Sequence, residues 1–447
     1  MVVLRDKMGV CDGLLPTKSY TGEDIGNYVI DAHKNVADIH HEKDNRGNEF
    51  WRPLFSHTDI LVDLNWDEVW IEDFDFQSEF CYPITVYHNQ SIWPKYLDIL
   101  DDRILDSLRN KKGYILFDNT LEGKRIDGKH FLEPIYGKLE KLKIPPERII
   151  FVTNNLLAEK QHDEYMRERI PGTKLVKNIH KKMKIISYMY SVADVKRIIY
   201  NHCLPSRVVI KNEIKYKESR LKDMKHFLKV NRTNRTERNL FMLFMNYHKL
   251  FDQSLISFPS LPGGAAGCPQ EFKKYLTIEN IEDLKSKVPF DIDRSDETNH
   301  GPAGFGKGKF NADLPFRPIH YKNSFISIVM CAFPFEYNDC HLHSGTYNPI
   351  YCGHPIVQFG PYQSLREIKE RGFKTFDKWW DESYDDEPDG WKRLQKVMDV
   401  VLELSKLSQK ELLEMYIDMK DVLQHNVDLI TNFDAKSELY DRIFNNE

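Results

Sequence analysis

The chain has 447 residues, 41% of them hydrophobic and 29% charged, with a formal net charge of −5. That length suits two domains of about 200 residues rather than one core, and the mild acidity offers no basic field to nucleic acid or an anionic membrane. The 7 cysteines are odd in number and scattered, as expected of reduced thiols; with no signal-like start and no run of about 18 apolar residues, the expectation is a cytoplasmic protein without a membrane span.

Residues 1 to about 100 carry few periodic signals beyond strand-like pieces at Ile60–Leu64 and Ile84–Tyr87. The pattern then sharpens. Tyr114–Phe117 and Ile149–Thr153 are continuous apolar runs that read as buried strands, the first ending at Asp118, and Phe131–Leu142 between them has helical spacing. Strand, helix and strand of this kind predict a parallel α/β sheet. Glu159–Arg169 reads as a polar helix, and the charge-dense Lys211–Glu218 as a linker. Phe227–Asn231 then opens a second domain, followed by an amphipathic helix over Glu237–Leu250.

Arg294–Asp313 is a long glycine-rich loop, of the kind that is either functional or disordered. Its Gly301 and Gly306-Lys307-Gly308 approach a P-loop, but Gly308 stands where a magnesium-binding hydroxyl belongs and no strand-to-helix pattern surrounds it. Ser344–Gly372 reads as helix, strand, helix. Ser344 caps a short helix that Gly353 ends, Ile356–Phe359 is a buried strand, and Ser364 with Glu367 forms a capping box for a helix that Gly372 ends. Trp391–Leu404 is amphipathic. Ser408 with Glu411 at N3 caps a long helix whose stripe is Leu412, Tyr416, Met419, Leu423, Val427 and Ile430.

Four groups of residues carry candidate chemistry. Arg232, Arg235 and Arg238 recur every third residue around a strand-to-helix turn, where a guanidinium fork suits a phosphate and a solvated basic patch is the plainer alternative. Ser344-Gly345 opens a helix, where free N–H groups favour an anion. Cys340, His341, His343, Cys352 and His354 are zinc-ligand types, yet their spacing fits no common zinc module. Among carboxylates, Asp118 is either a general base or a strand-end cap, and the acid-x-acid pattern of Glu72-Asp73-Phe74-Asp75 is either a site for a divalent metal with a nucleotide or part of a surface strand beside Trp70 and Phe76.

Taken in order, VNRTNRTER (230–238), PFDIDRSD (289–296), SFISIVMCAF (324–333), HSGTYNPIYCGHPIVQFG (343–360) and LREIKERGFKTFDKWWDESYDD (365–386) resemble the nucleotide-sugar glycosyltransferases of GT-B type, in the broad α1,3-fucosyltransferase-like and exostosin-like group with its many viral and bacterial members. The resemblance covers about residues 222 to 430. It implies an α/β fold of two Rossmann-like domains facing a cleft, with C-terminal helices: residues 1–215 on the acceptor side and 216–447 on the donor side. Arg232, Arg235, Arg238, His343, Ser344, Gly345 and Tyr347 would then hold the nucleotide sugar and Asp118 would act as base. No cofactor and no metal would be required, and transfer would invert the sugar. The acceptor would be a glycan, a protein or a modified DNA base.

The sequence also departs from that family. His343-Ser344-Gly345 stands where Thr-Glu-Lys is usual, Cys331 where a glutamate is usual and Asn348 where a lysine is frequent. Either the donor is held by backbone amides, His343 and the arginines, or the protein is a non-catalytic partner subunit or glycan-binding module on the same fold.

Overall fold

A computed structural model describes residues 2–5, 68–70, 74–86, 90–98, 100–120, 123, 125, 126, 128–169, 181–193, 195, 196, 207–231, 235–258, 267–288, 290, 292, 318–335 and 337–445. Ile60–Leu64, Glu72, Asp73, Arg232 and the glycine-rich loop 294–313 lie outside them. By contact the chain divides into two units, Met1–Tyr190 with Asp434–Glu447, and Ser191–Phe433. Among the described residues no helix is long and apolar enough to cross a membrane.

The first unit contains β1 (Val2–Arg5), β2 (Glu68–Trp70), β3 (Phe80–Thr85), α1 (Asp102–Arg109), β4 (Gly113–Asn119), α2 (Glu133–Leu142), β5 (Ile149–Thr153), α3 (Ala158–Arg169) and β6 (Lys184–Ser187). Its strands form one parallel sheet in the order β2-β1-β3-β4-β5-β6, the doubly wound arrangement expected of alternating strands and helices. β5 is buried throughout, which is why its sequence is an unbroken apolar run. Trp93 packs edge-on to Phe131 with centroids 5.1 Å apart, and Phe131 lies 5.0 Å from Phe151, an aromatic cluster of large buried area.

The second unit contains α4 (Ile210–Ser219), β7 (Lys225–Val230), α5 (Thr236–Tyr247), β8 (Ser254–Ser257), α6 (Ile278–Lys287), α7 (Pro318–Lys322), β9 (Ser324–Met330), α8 (Ser344–Tyr351), β10 (Ile356–Phe359), α9 (Ser364–Glu370), α10 (Gly390–Ser405), α11 (Gln409–Asp418) and α12 (Lys420–Asn432). Its sheet is also parallel, in the order β10-β9-β7-β8. The strand order reverses between β7 and β9. All six residues of the predicted apolar stripe, from Leu412 to Ile430, are buried. The capping box of Ser408 and Glu411 forms as expected, although the helix it opens breaks at Met419 into α11 and α12.

Two expectations fail here for identifiable reasons. Lys211–Glu218 is not a linker but part of α4, and its Lys217 is only 1% exposed. The Lys217 Nζ donates to the carbonyls of Tyr321 (3.0 Å), Lys322 (3.1 Å) and Ser324 at the end of α7, and lies 4.9 Å from the Tyr416 ring centroid. Burial brings its pKa down to about 7. A lysine that caps the last carbonyls of another helix is indistinguishable in sequence from a solvated one.

The capping box expected of Ser364 and Glu367 is also absent. Gln363 is the N-cap, in the left-handed region at φ 59°, and Glu367 pairs instead with Arg371 at 2.7 Å. The carboxylate of Asp385 caps α9. It accepts the Leu365 N–H (3.0 Å), the Arg366 N–H (3.0 Å) and the Ser364 hydroxyl (3.2 Å). Removing it leaves buried donors unmatched, so Asp385→Ala should lower stability in urea unfolding by about 2 kcal/mol or more.

Nearby, Glu382 is 8% exposed and accepts the Phe376 N–H at 2.8 Å. Burial pushes its carboxyl up to about 7. The folded chain therefore holds a proton that the unfolded chain releases near its ordinary value of about 4.3. Its contribution to stability is present below that value and is lost as pH rises to about 7. Measured at pH 5 and pH 8, Glu382→Gln should gain on the native protein by roughly 2–3 kcal/mol across that interval.

Candidate functional site

A cavity of about 270 Å³ opens at the carboxyl ends of β7 and β9, where the strand order of the second sheet reverses. Loops leave such a switch point in opposite directions and create a crevice for ligands. The wall includes Leu228 and Val230 from β7, Ser327–Met330 from β9, Arg238 from α5, Tyr321 from α7, and His343, Ser344, Gly345 and Asn348 around the start of α8.

Arg238 comes from the first turn of α5 and is 7% exposed. Its Nη2 donates to the carbonyls of Met330 (3.1 Å) and Cys331 (3.5 Å) at the end of β9. Burial and the neighbouring Arg235 lower its pKa to about 10, so it stays cationic at neutral pH. Arg235 bonds the Ala332 carbonyl and lies 5.1 Å from the Phe333 ring centroid. It fastens the start of α5 to the segment after β9 and is not in the cavity wall, while Arg232 lies outside the described residues. Cys331 is fully buried, and burial pushes its thiol up to about 12.

The start of α8 differs from the expectation in one contact. The N-cap is His343, not Ser344, and Gly345 donates its N–H to His343 Nδ1 at 2.8 Å. The donor expected to face a phosphate is thus occupied by an imidazole. Only glycine permits this closure, since a Cβ at Gly345 would stand 2.3 Å from His343 Cε1. Ser344 and Gly345 still line the cavity. Tyr347 does not: it is 1% exposed and packs 5.7 Å from Phe373, on the buried side of α8.

Asp118 belongs to the first unit, at the end of β4, and is 4% exposed. Its Oδ1 accepts the backbone N–H (2.9 Å) and the hydroxyl (2.7 Å) of Thr120. This is the strand-end Asx turn, a geometry that suits a cap better than a general base. Asp75 likewise accepts the Gln77 N–H within a turn.

The Cys/His cluster does not converge. His343 caps α8, His354 bonds two serines of β9, and Cys352 lines a separate cavity of about 170 Å³ with Arg207, Glu213 and Lys322. Among the described residues no three His, Cys, Asp or Glu side chains gather in a way that could hold a metal ion. Sequence reasoning missed Tyr321 and Ser327 in the cavity wall; the one available signal was a serine at 327 between Ile326 and Ile328, inside a buried strand.

No protein-family model matches the chain, and no curated protein matches it in sequence at a significant level. Among solved structures it is similar to the N-terminal domain of trehalose-6-phosphate phosphatase from Candida albicans, with 10% identity over 81% of this chain and 70% of that one and a TM-score of 0.40. A structure titled as trehalose-6-phosphate from E. coli bound with UDP-2-fluoro glucose matches at 12% identity over 82% and 74%, with a TM-score of 0.40. An α,α-trehalose-phosphate synthase (UDP-forming) from Burkholderia vietnamiensis matches at 12% over 81% and 72%, with a TM-score of 0.37. These three carry the names of trehalose-phosphate enzymes, and none is named as a fucosyltransferase or exostosin. A likeness this loose carries no argument about reaction or substrate; the assignment of two Rossmann-like units stands on the two parallel sheets themselves.

The His343 contact is testable alone. His343→Ala and Gly345→Ala should each cost about 1 kcal/mol in urea unfolding. Because both remove the same bond, the double variant should lose no more than either single one.

Proposed function

We propose that the chain is a glycosyltransferase, moving a sugar from a nucleotide-activated donor to an acceptor hydroxyl, with inversion and without a metal. The observation that carries this reading is the cavity at the β7/β9 switch point with buried Arg238 in its wall. A guanidinium held rigidly by two carbonyls at that position is suited to the charge that develops on a departing diphosphate. The start of α8 adds its backbone N–H groups once the His343 ring turns off Gly345, and the volume is near the lower end of ordinary small-molecule sites, roughly 300–1,000 Å³. Asp118, already committed to Thr120, is not assigned as the base, and the acceptor class stays open.

A second reading has its own observation. The closed His343–Gly345 contact, in a chain that lacks the acid and lysines of the resembled family at this position, favours a non-catalytic protein on the same fold that acts as a partner subunit or glycan-binding module.

Thermal stabilisation by a panel of nucleoside diphosphates and nucleotide sugars separates the two. A ligand at about 100 times its dissociation constant adds about 2.7 kcal/mol. The first reading expects a selective shift that Arg238→Ala abolishes. A folded sample that no nucleotide stabilises would overturn it in favour of the second.

A further inference from the structure

One wall of the cavity holds a hydrogen-bond relay whose direction can be worked out from its far end. Ser324 Oγ donates to the His320 carbonyl at 2.7 Å, so its proton is committed there. The imidazole of His354, 1% exposed, places Nε2 2.9 Å from the Ser324 carbonyl and 3.4 Å from that same Oγ. Facing a carbonyl, with no hydroxyl proton on offer, Nε2 must carry the hydrogen and donate it. In a neutral ring Nδ1 is then the acceptor. Burial, with Lys217 adding to it, holds the His354 pKa well below its ordinary value, in keeping with that neutral form. Ser327 Oγ lies 2.7 Å from Nδ1 and therefore donates its one proton to it.

Ser327 also lines the cavity. It is the register partner of Leu228 across the β7/β9 switch point and so shares a sheet face with that wall residue. Its hydroxyl has one proton, already spent on His354, and two lone pairs that can only accept. We propose that Ser327 is a specificity-determining residue of this cavity, an obligatory acceptor that selects ligands presenting a hydrogen-bond donor to it. The donor is a sugar hydroxyl or a ring N–H of the nucleotide. An ether or deoxy position there would forfeit the bond, and a ligand acceptor would meet lone pair against lone pair. The inference rests on the donor-site reading above.

The test measures dissociation constants for uridine, guanosine and adenosine diphosphates. It adds their 2′-deoxy and 3′-deoxy analogues, and the ring-N-methylated forms of the first two, against the native protein, Arg238→Ala and Ser327→Ala. Ser327→Cys keeps nearly the same volume with a poor acceptor and serves where alanine unsettles the strand. The expected result is that the preferred diphosphate binds roughly five- to tenfold more weakly to the Ser327 variants. One analogue should lose as much on the native protein, with no further loss on the variants. A deoxy analogue showing that pattern identifies a sugar hydroxyl as the donor, and an N-methylated one identifies the base. Equal affinity of native and Ser327 variants, with Arg238→Ala still impaired, overturns the inference and leaves the donor site standing. Absence of any nucleotide binding to the native protein removes the donor site and this inference together.

Discussion

The second unit is organised around one buried carboxylate. Asp385 draws in the N–H groups that open α9 and the hydroxyl of Ser364. Ser364 in turn accepts from Gln358 Nε2 at 3.1 Å, and Gln358 Oε1 accepts from Thr346 Oγ1 at 2.9 Å. Every proton in this chain points toward the carboxylate, so its charge sets the direction of each bond. Burial raises the Asp385 pKa while the backbone and hydroxyl donors pull it back. The chain ties β10 to the first turns of both α8 and α9, and so holds in place the helix whose start forms part of the cavity.

The same sheet fixes where that cavity opens. Parallel strands need crossovers on both faces, and the reversal of order between β7 and β9 leaves their carboxyl ends uncovered. Arg238 closes one side by reaching from α5 to the last carbonyls of β9. The imidazole of His354 bonds Ser327, another residue of the lining. A buried cation and a serine hydroxyl thus both line one recess.

Elements were legible where a single local rule governs them. The run Ile356–Phe359 is β10 and Ile149–Thr153 is β5, because a strand buried on both faces is mostly apolar, its few polar members such as Gln358 and Thr153 being hydrogen-bonded. Gly372, at φ 88°, follows the last turn of α9 as expected. What escaped depends on partners far away in sequence. Asp385 caps a helix that begins 21 residues before it, and Lys217 closes a helix more than 100 residues on. Of the residues expected in the donor site, Arg238, His343, Ser344 and Gly345 meet at the cavity, while Tyr347 faces inward. The spacing of a short helix places a residue on a face, but which face is buried depends on α12, β9 and β10 packing against it.

Residues 434–447 return to the first unit after the second has intervened. Arg442 donates to the Ser187 carbonyl at 2.8 Å and pairs with Glu159, and Lys184 donates to the Ile443 carbonyl at 2.6 Å. These bonds secure β6, which among the described residues is the edge strand of the first unit's sheet, a position where unpaired backbone groups invite stray pairing. Domains commonly fold in order of synthesis, at about 5–20 residues per second. Here residues 434–447, some 250 positions after β6, belong to the first unit. During translation on a ribosome these bonds cannot form until the intervening second unit has been made, so the unit that is begun first is completed after the other.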